Sequence, residues 1–157
     1  MGKFPEEAPE RELLRALQQN SRRSLRELAK EAGLPLSTAH EKIRRLERDG
    51  FIKGYHAVLD EKKLGFPVTG FILASINYET GEKISQKKIA EKISALSNVQ
   101  EVHIITGDWD MLIKVKSKSV EELGRFVTEK LRNVQGVGKT LTNVVFETAK
   151  EERSLDL

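Results

Sequence analysis

The sequence predicts an α+β chain in two parts, a helical N-terminal unit followed by a C-terminal unit with the order βαββαβ. Three observations lead there. Apolar residues recur at helical spacing between Glu10 and Asp49, with capping and stop signals at the right places. Between Val68 and Thr148, four runs rich in β-branched and aromatic residues are separated by helical stretches. The motif NVQxV occurs at 98–102 and again at 133–137, each time at the passage from a helix to a strand. Two equivalent βαβ halves are the pattern of a ferredoxin-like sandwich.

The N-terminal unit is read in order. Residues 1–9 hold two prolines and alternating charges and are expected to fray. From Glu10, Leu13, Leu14 and Leu17 form the stripe of a first helix. Ser24 and Glu27 have capping-box spacing, in which hydroxyl and carboxylate each take a backbone N–H of the other residue. Leu25, Leu28, Ala29 and Ala32 then repeat helically, and Gly33 stands where a left-handed cap ends a helix. Pro35 is tolerated in the first turn of the next helix, because its missing N–H would have no partner there. That helix runs to about Asp49 and turns Ala39, Ile43 and Leu46 inward. The β-favouring run 51–59, with Gly54 at its centre, suggests a short strand or wing. The whole is a helix-turn-helix of winged-helix-like plan.

The outer face of the second helix of that pair carries Ser37, Thr38, His40, Glu41, Arg44, Arg45 and Arg48, and Arg22 and Arg23 lie just ahead of the motif. Short polar residues near a helix N-terminus, with arginines further along, suit a helix that reaches base edges first and phosphates after. Arginines on a helix are often only a solvated face. The two-helix unit with its glycine turn supplies geometry as well as charge, and these nine residues are therefore the candidate DNA contacts. Glu41 repels phosphate but can accept from cytosine N4, which marks it for specificity.

Composition bounds the alternatives. The 157 residues allow two small domains. No cysteine is present, which excludes disulfides, thiolate nucleophiles and cysteine-held zinc. The three histidines, His40, His56 and His103, are scattered, so neither a metal site nor a cofactor is expected. No apolar run approaches a membrane span, and the charged N-terminus is unlike a signal peptide, so a cytoplasmic protein is expected. Net charge is only +3, but it is unevenly placed. Residues 20–56 hold nine Lys/Arg against five Asp/Glu, whereas from Glu61 onward the two signs nearly balance. The positive excess coincides with the helix-turn-helix, as phosphate contact requires.

In the second unit, 68–78 reads as a buried strand and 82–96 as a helix through Ile89, Ile93 and Leu96. Runs 99–106 and 110–116 are alternating strands joined by Gly107, Asp108 and Trp109. Ser119 and Glu122 form a second capping box before a helix striped by Val120, Leu123, Val127 and Leu131, and 137–148 is the last strand. Two helices cover one face of such a sheet, and apolar residues fall on both faces, so a second copy is expected to meet the other face. A two-fold dimer would read a roughly palindromic site in double-stranded DNA. The domains are placed at 1–51 (DNA binding), 52–66 (linker), 67–150 (ferredoxin-like, oligomerisation) and 151–157 (tail).

With these elements in hand, the chain resembles the Lrp/AsnC (feast/famine) transcription regulators over nearly its whole length. The resemblance is carried by LRELAKEAGL at 25–34, IRRLERDGFIKGY at 43–55, LG at 64–65, TGDWD at 106–110 and TLTNVV at 140–145, in that order and spacing. It implies a DNA-binding domain joined to a ligand-sensing βαββαβ domain, and homodimers that assemble to tetramers, octamers or larger rings. It also implies an amino-acid effector bound between dimers, with no catalytic residues. Carried over, it places Gly107, Asp108, Trp109, Thr140 and Thr142 at the effector site. Turn amides can hold a carboxylate, Asp108 can pair with an ammonium group, and the threonine hydroxyls can complete a polar frame. Turn chemistry and β-propensity alone also account for these residue types. The chain departs from the family at Pro35, where serine usually opens the helix, and at 40–42, where His-Glu-Lys replaces more basic residues. Siroheme decarboxylase subunits resemble the same plan, and an enzyme of that kind, or a ligand-independent regulator or scaffold, is the alternative. His56 and His103 are then the only catalytic candidates outside the recognition helix.

Overall fold

A computed structural model describes residues 8–77 and 85–157. They fall into two compact units, one formed by residues 8–58 with Lys150–Leu157, the other by the described part of Leu59–Ala149. No helix of the described residues is long and apolar enough to cross a membrane.

The first unit contains α1 (Ala8–Gln19), α2 (Leu25–Glu31) and α3 (Leu36–Arg48). Its core joins Leu13 and Ala16 of α1, Leu28 and Ala29 of α2, and Ala39 and Ile43 of α3. Full burial of a leucine such as Leu13 contributes roughly 1.5–3 kcal/mol. The capping box forms: the Ser24 hydroxyl accepts from the Glu27 N–H at 3.3 Å, and the Glu27 carboxylate accepts from the Ser24 N–H at 2.7 Å. The Ser24 hydroxyl, which also donates to the Glu27 carboxylate at 2.8 Å, and then the Ser24 N–H hold the Glu27 carboxyl below its ordinary pKa. At the other end Gly33 adopts φ +64°, and the bonds Leu34 N–H to Ala29 O and Gly33 N–H to Lys30 O close the helix. A Cβ at that φ would be strained, which is why the turn needs glycine.

Three expectations are corrected here. Helix α1 begins at Ala8, so Ala8 and Pro9 are not frayed, while residues 1–7 lie outside the described set. Pro35 is the N-cap of α3 rather than part of its first turn. The strand expected over 51–59 is not present, because no segment among the described residues pairs with it. The segment is held instead by Ile52 N–H on Leu46 O and by the Tyr55 hydroxyl, which donates to the Glu47 carboxylate at 2.8 Å. The tail is also engaged: Leu155 N–H donates to the Gln18 side-chain oxygen at 2.7 Å, and the Gln18 amide donates to Leu155 O at 3.1 Å.

The second unit is β1 (Val68–Ile76), α4 (Gln86–Ser94), β2 (Val99–Ile104), β3 (Met111–Ser117), α5 (Val120–Arg125) and β4 (Val137–Val144). The sheet is antiparallel with order β2-β3-β1-β4, as the βαββαβ reading requires. Register places Ile72 and Ala74 beside Ile113 and Met111 on the face packed by Ile89, Ile93, Leu123, Phe126, Val127 and Leu131. The opposite face carries Phe71, Leu73, Leu112 and Leu141, flanked by Glu101, His103, Lys114 and Lys116. Two of its cations are tied down: Lys116 Nζ lies 2.6 Å from Glu61, and Lys114 Nζ lies 3.5 Å from Glu101. The His103 ring, then Lys114, hold the Glu101 carboxyl below the usual range.

Several boundaries move. The helix expected from 82 starts at Gln86, capped by Ser85; residues 82–84, like Tyr78 at the end of the first strand, lie outside the described set. The strands expected over 99–106, 110–116 and 137–148 are Val99–Ile104, Met111–Ser117 and Val137–Val144. Ser119 accepts from the Glu122 N–H, but the Glu122 carboxylate takes the Lys118 N–H, so the second capping box is shifted by one residue. Val120 is exposed rather than part of the buried stripe, and Phe126 takes a core place. Helix α5 continues as a π-helical turn (Phe126–Lys130) and a 3-10 turn (Leu131–Asn133), a change of winding that brings Phe126, Val127 and Leu131 all onto the core.

Gly136, in the second copy of the repeat, has φ +94°, and a Cβ there would stand 2.6 Å from Ile89 Cδ1. Gly136→Ala is expected to destabilise the second unit by about 2–4 kcal/mol, read as a lower urea midpoint at unchanged slope. Burial and the bond to Glu47 push the Tyr55 phenol up to about 12 from 10.0. Because its folded pKa is raised, this bond's contribution is complete below about pH 10 and is lost as pH rises toward 12. An ultraviolet titration should show a phenolate step near pH 12 that Tyr55→Phe removes, and a step near 10 would place the hydroxyl in water.

Candidate nucleic-acid interface and ligand residues

The orientation of α3 follows from its inward stripe. With Ala39, Ile43 and Leu46 buried, a rotation of about 100° per residue turns Ser37, Glu41, Arg44 and Arg48 directly outward. All four are exposed. Arg44 has no bonded partner among the described residues, and Arg48 is 3.8 Å from Asp49 with its side chain 72% exposed. The N-cap Pro35 offers no side-chain bond, so no cap side chain satisfies the first-turn amides at the positive end of α3.

The other candidates differ. Thr38 is half-buried on one flank, and His40 is exposed on the other. Arg45 is on the Thr38 flank, and its guanidinium bonds the Glu10 carboxylate of α1. Arg23 is drawn in between Glu31 of α2 and Gln19 of α1. Arg22 is exposed; only its backbone N–H is engaged, by the Asn20 side chain. The structure therefore assembles Ser37, Glu41, Arg44 and Arg48 into one outward stripe and gives Arg23 and Arg45 intramolecular partners. Sequence reasoning missed Glu10, which it places only at the start of the first helix. Its position three residues before Leu13, on the same face, was the available signal.

The effector candidates sit at two places in the second unit. Gly107, Asp108 and Trp109 form the β2–β3 turn, with Gly107 and Asp108 exposed and Trp109 half-buried. Asp108 makes no hydrogen bond with a described residue, whereas Asp110 is structural. Its carboxylate accepts from the Ile76 N–H at 2.7 Å and from the Gln86 side chain at 3.3 Å, fixing the end of β1 to the start of α4. Thr140 and Thr142 are half-buried on β4, opposite Ala74 and Ile72. Strand β1 lies between β3 and β4, so within one chain the turn and the threonines are not brought together. Arg132, which no sequence pattern marked, donates from Nε to the Thr140 hydroxyl at 3.1 Å and places a guanidinium beside the threonine pair.

His103 is exposed on β2, 3.1 Å from Glu101, while His56 belongs to the other unit.

Comparison with known proteins agrees with both units. Residues 8–53 match a winged helix-turn-helix DNA-binding domain, and residues 72–155 match the Lrp/AsnC ligand binding domain. An HTH-type transcriptional regulator of Pyrococcus abyssi is 43% identical over 143 residues, covering 91% of this chain and 94% of that protein. The leucine-responsive regulatory protein of Escherichia coli is 34% identical over 146 residues, covering 93% and 88%. The structure of Escherichia coli AsnC aligns with a TM-score of 0.83 at 26% identity, over 97% of this chain and 99% of that one. The two matching domain models, together with relatives at 43% and 34% identity over nearly the whole chain, place this chain in the Lrp/AsnC family of transcriptional regulators.

Proposed function

We propose that the chain binds DNA in a sequence-specific manner through α3, and that a small effector, an amino acid, modulates its oligomeric state or its DNA affinity. The outward stripe Ser37–Glu41–Arg44–Arg48, beginning at a helix end without a side-chain cap, carries the first part. Ser37 and Glu41 are placed to meet base edges, and Arg44 and Arg48 to meet a guanine edge or phosphates. Arg22, Thr38 and His40 stand at the margins of this face. In this reading 1–51 form the DNA-binding domain, 52–66 the linker and 67–150 the sensing domain, acting in the cytoplasm.

The effector reading is supported by the chemistry of the two half-sites. The β2–β3 turn supplies an exposed carboxylate at Asp108, suited to an ammonium group, and β4 supplies Thr140 and Thr142 with the Arg132 guanidinium, suited to a carboxylate. A zwitterion needs both ends. The separation of the two groups within one chain fits a pocket completed by another subunit, and the relative at 34% identity is named as leucine-responsive. The apolar centre of the open sheet face, Phe71, Leu73, Leu112 and Leu141, is the surface offered to a second copy. A two-fold pair would present two α3 helices to a roughly palindromic duplex.

Arg44→Ala is expected to weaken binding to a selected duplex by about 1–3 kcal/mol in fluorescence anisotropy, and an unchanged affinity removes Arg44 from the interface. Trp109 is the only tryptophan. Its emission should change saturably with one of the twenty amino acids, and Asp108→Ala should abolish that change while circular dichroism stays as in the parent. A retained response in the variant places the site elsewhere. Light scattering at micromolar concentration should give a mass above one chain, and a monomer would exclude the open sheet face as an assembly surface.

A further inference from the structure

We propose that Glu10 is a positioning residue for DNA recognition. It withdraws Lys42 and Arg45 from phosphate contact and fixes the rotation of α3, leaving the contacts of that helix to the outward stripe. The inference rests on the DNA-binding reading above and adds to it a residue outside the helix-turn-helix.

Glu10 is only 3% exposed although it lies in the first turn of the first helix. A carboxylate so placed must be paired. Both of its partners come from one element: Lys42 Nζ at 3.1 Å and the Arg45 guanidinium, three residues apart on the flank of α3 that faces α1. Of the four cations in α3, Lys42, Arg44, Arg45 and Arg48, this single carboxylate thus engages two. An apolar side chain at position 10 could extend the Leu13–Ala16 stripe, and buried ion pairs rarely stabilise more than a packed hydrophobic group does. Stability alone therefore does not account for a charge here. Orientation and charge removal do. Rotation of α3 about its axis would pull Lys42 and Arg45 from the carboxylate together, so the pair resists slippage that the small Ala39 contact tolerates. Taking two cations out of the phosphate set also lowers sequence-independent affinity, which sharpens the difference between right and wrong DNA.

The test measures salt-dependent binding of the full chain to two probes: sonicated DNA of mixed sequence, and a duplex enriched by the parent protein from a random pool. For Glu10→Gln the slope of log K against log salt on mixed-sequence DNA should steepen by about one, as the Arg45 guanidinium is released to meet a phosphate. The ratio of affinities for the enriched and mixed DNA should fall. The triple variant Glu10→Gln/Lys42→Gln/Arg45→Gln should return the slope to the parent value, which a merely loosened helix would not do. Arg45→Gln alone should leave the slope unchanged. An unchanged or shallower slope in Glu10→Gln overturns the proposal, and so does a slope made shallower by about one in Arg45→Gln. Should Glu10→Gln fail to fold by circular dichroism, Arg45→Gln decides alone. Parent binding that Arg44→Ala weakens but Glu10→Gln leaves unaltered removes only this proposal, whereas a parent chain that binds neither DNA removes the regulator reading and this one with it.

Discussion

The burial of Ala39, Ile43 and Leu46 settles which side of α3 faces outward. Those three residues occupy one side of the helix, and Ala39 and Ile43 pack with Leu13, Ala16, Leu28 and Ala29 in one core. Everything asked of the DNA-binding unit depends on that packing. The opposite side then has to carry Ser37, Glu41, Arg44 and Arg48, and the flank toward α1 has to accommodate Lys42 and Arg45. A carboxylate on α1 is what that flank meets.

The second unit obeys a similar constraint, expressed in a sheet. Alternation along β1 and β3 sends Ile72, Ala74, Met111, Ile113 and Val115 to the helices, and it commits their neighbours Phe71, Leu73 and Leu112 to the other face. A sheet covered by helices on one side only carries its own argument for assembly. Asp110 has a structural part beside the β2–β3 turn. Two residues after Asp108, a chemically identical side chain is fully occupied in joining β1 to α4. The free carboxylate is the one at 108.

Much of this was legible in the residues themselves. Ser24 with Glu27 and the glycine at 33 announced α2 because caps and left-handed turns depend on local chemistry. The helical stripe of α3 and the βαββαβ order were readable for the same reason. What could not be read was anything requiring a partner distant in sequence. The run 51–59 has strand propensity, yet a strand needs a ladder, and none pairs with it among the described residues. Arg45 and Arg44 are indistinguishable as letters, and only the buried Glu10, thirty-five residues away, separates a clamped arginine from a free one. Arg132 became visible beside Thr140 only once β4 and the 3-10 turn before it were in place. The π-helical winding at Phe126–Lys130 likewise reflects the demands of the core rather than a local signal.

In the proposed complex α3 enters the groove by its N-terminal end and outward face. Amide hydrogen exchange, compared for the chain alone and bound to an enriched duplex, tests it most directly. The account predicts slowed exchange in peptides covering 35–45, where the first-turn amides of α3 have no side-chain cap, with little change over 99–117. Slowing confined to the sheet, with α3 exchanging as in the free chain, would contradict it.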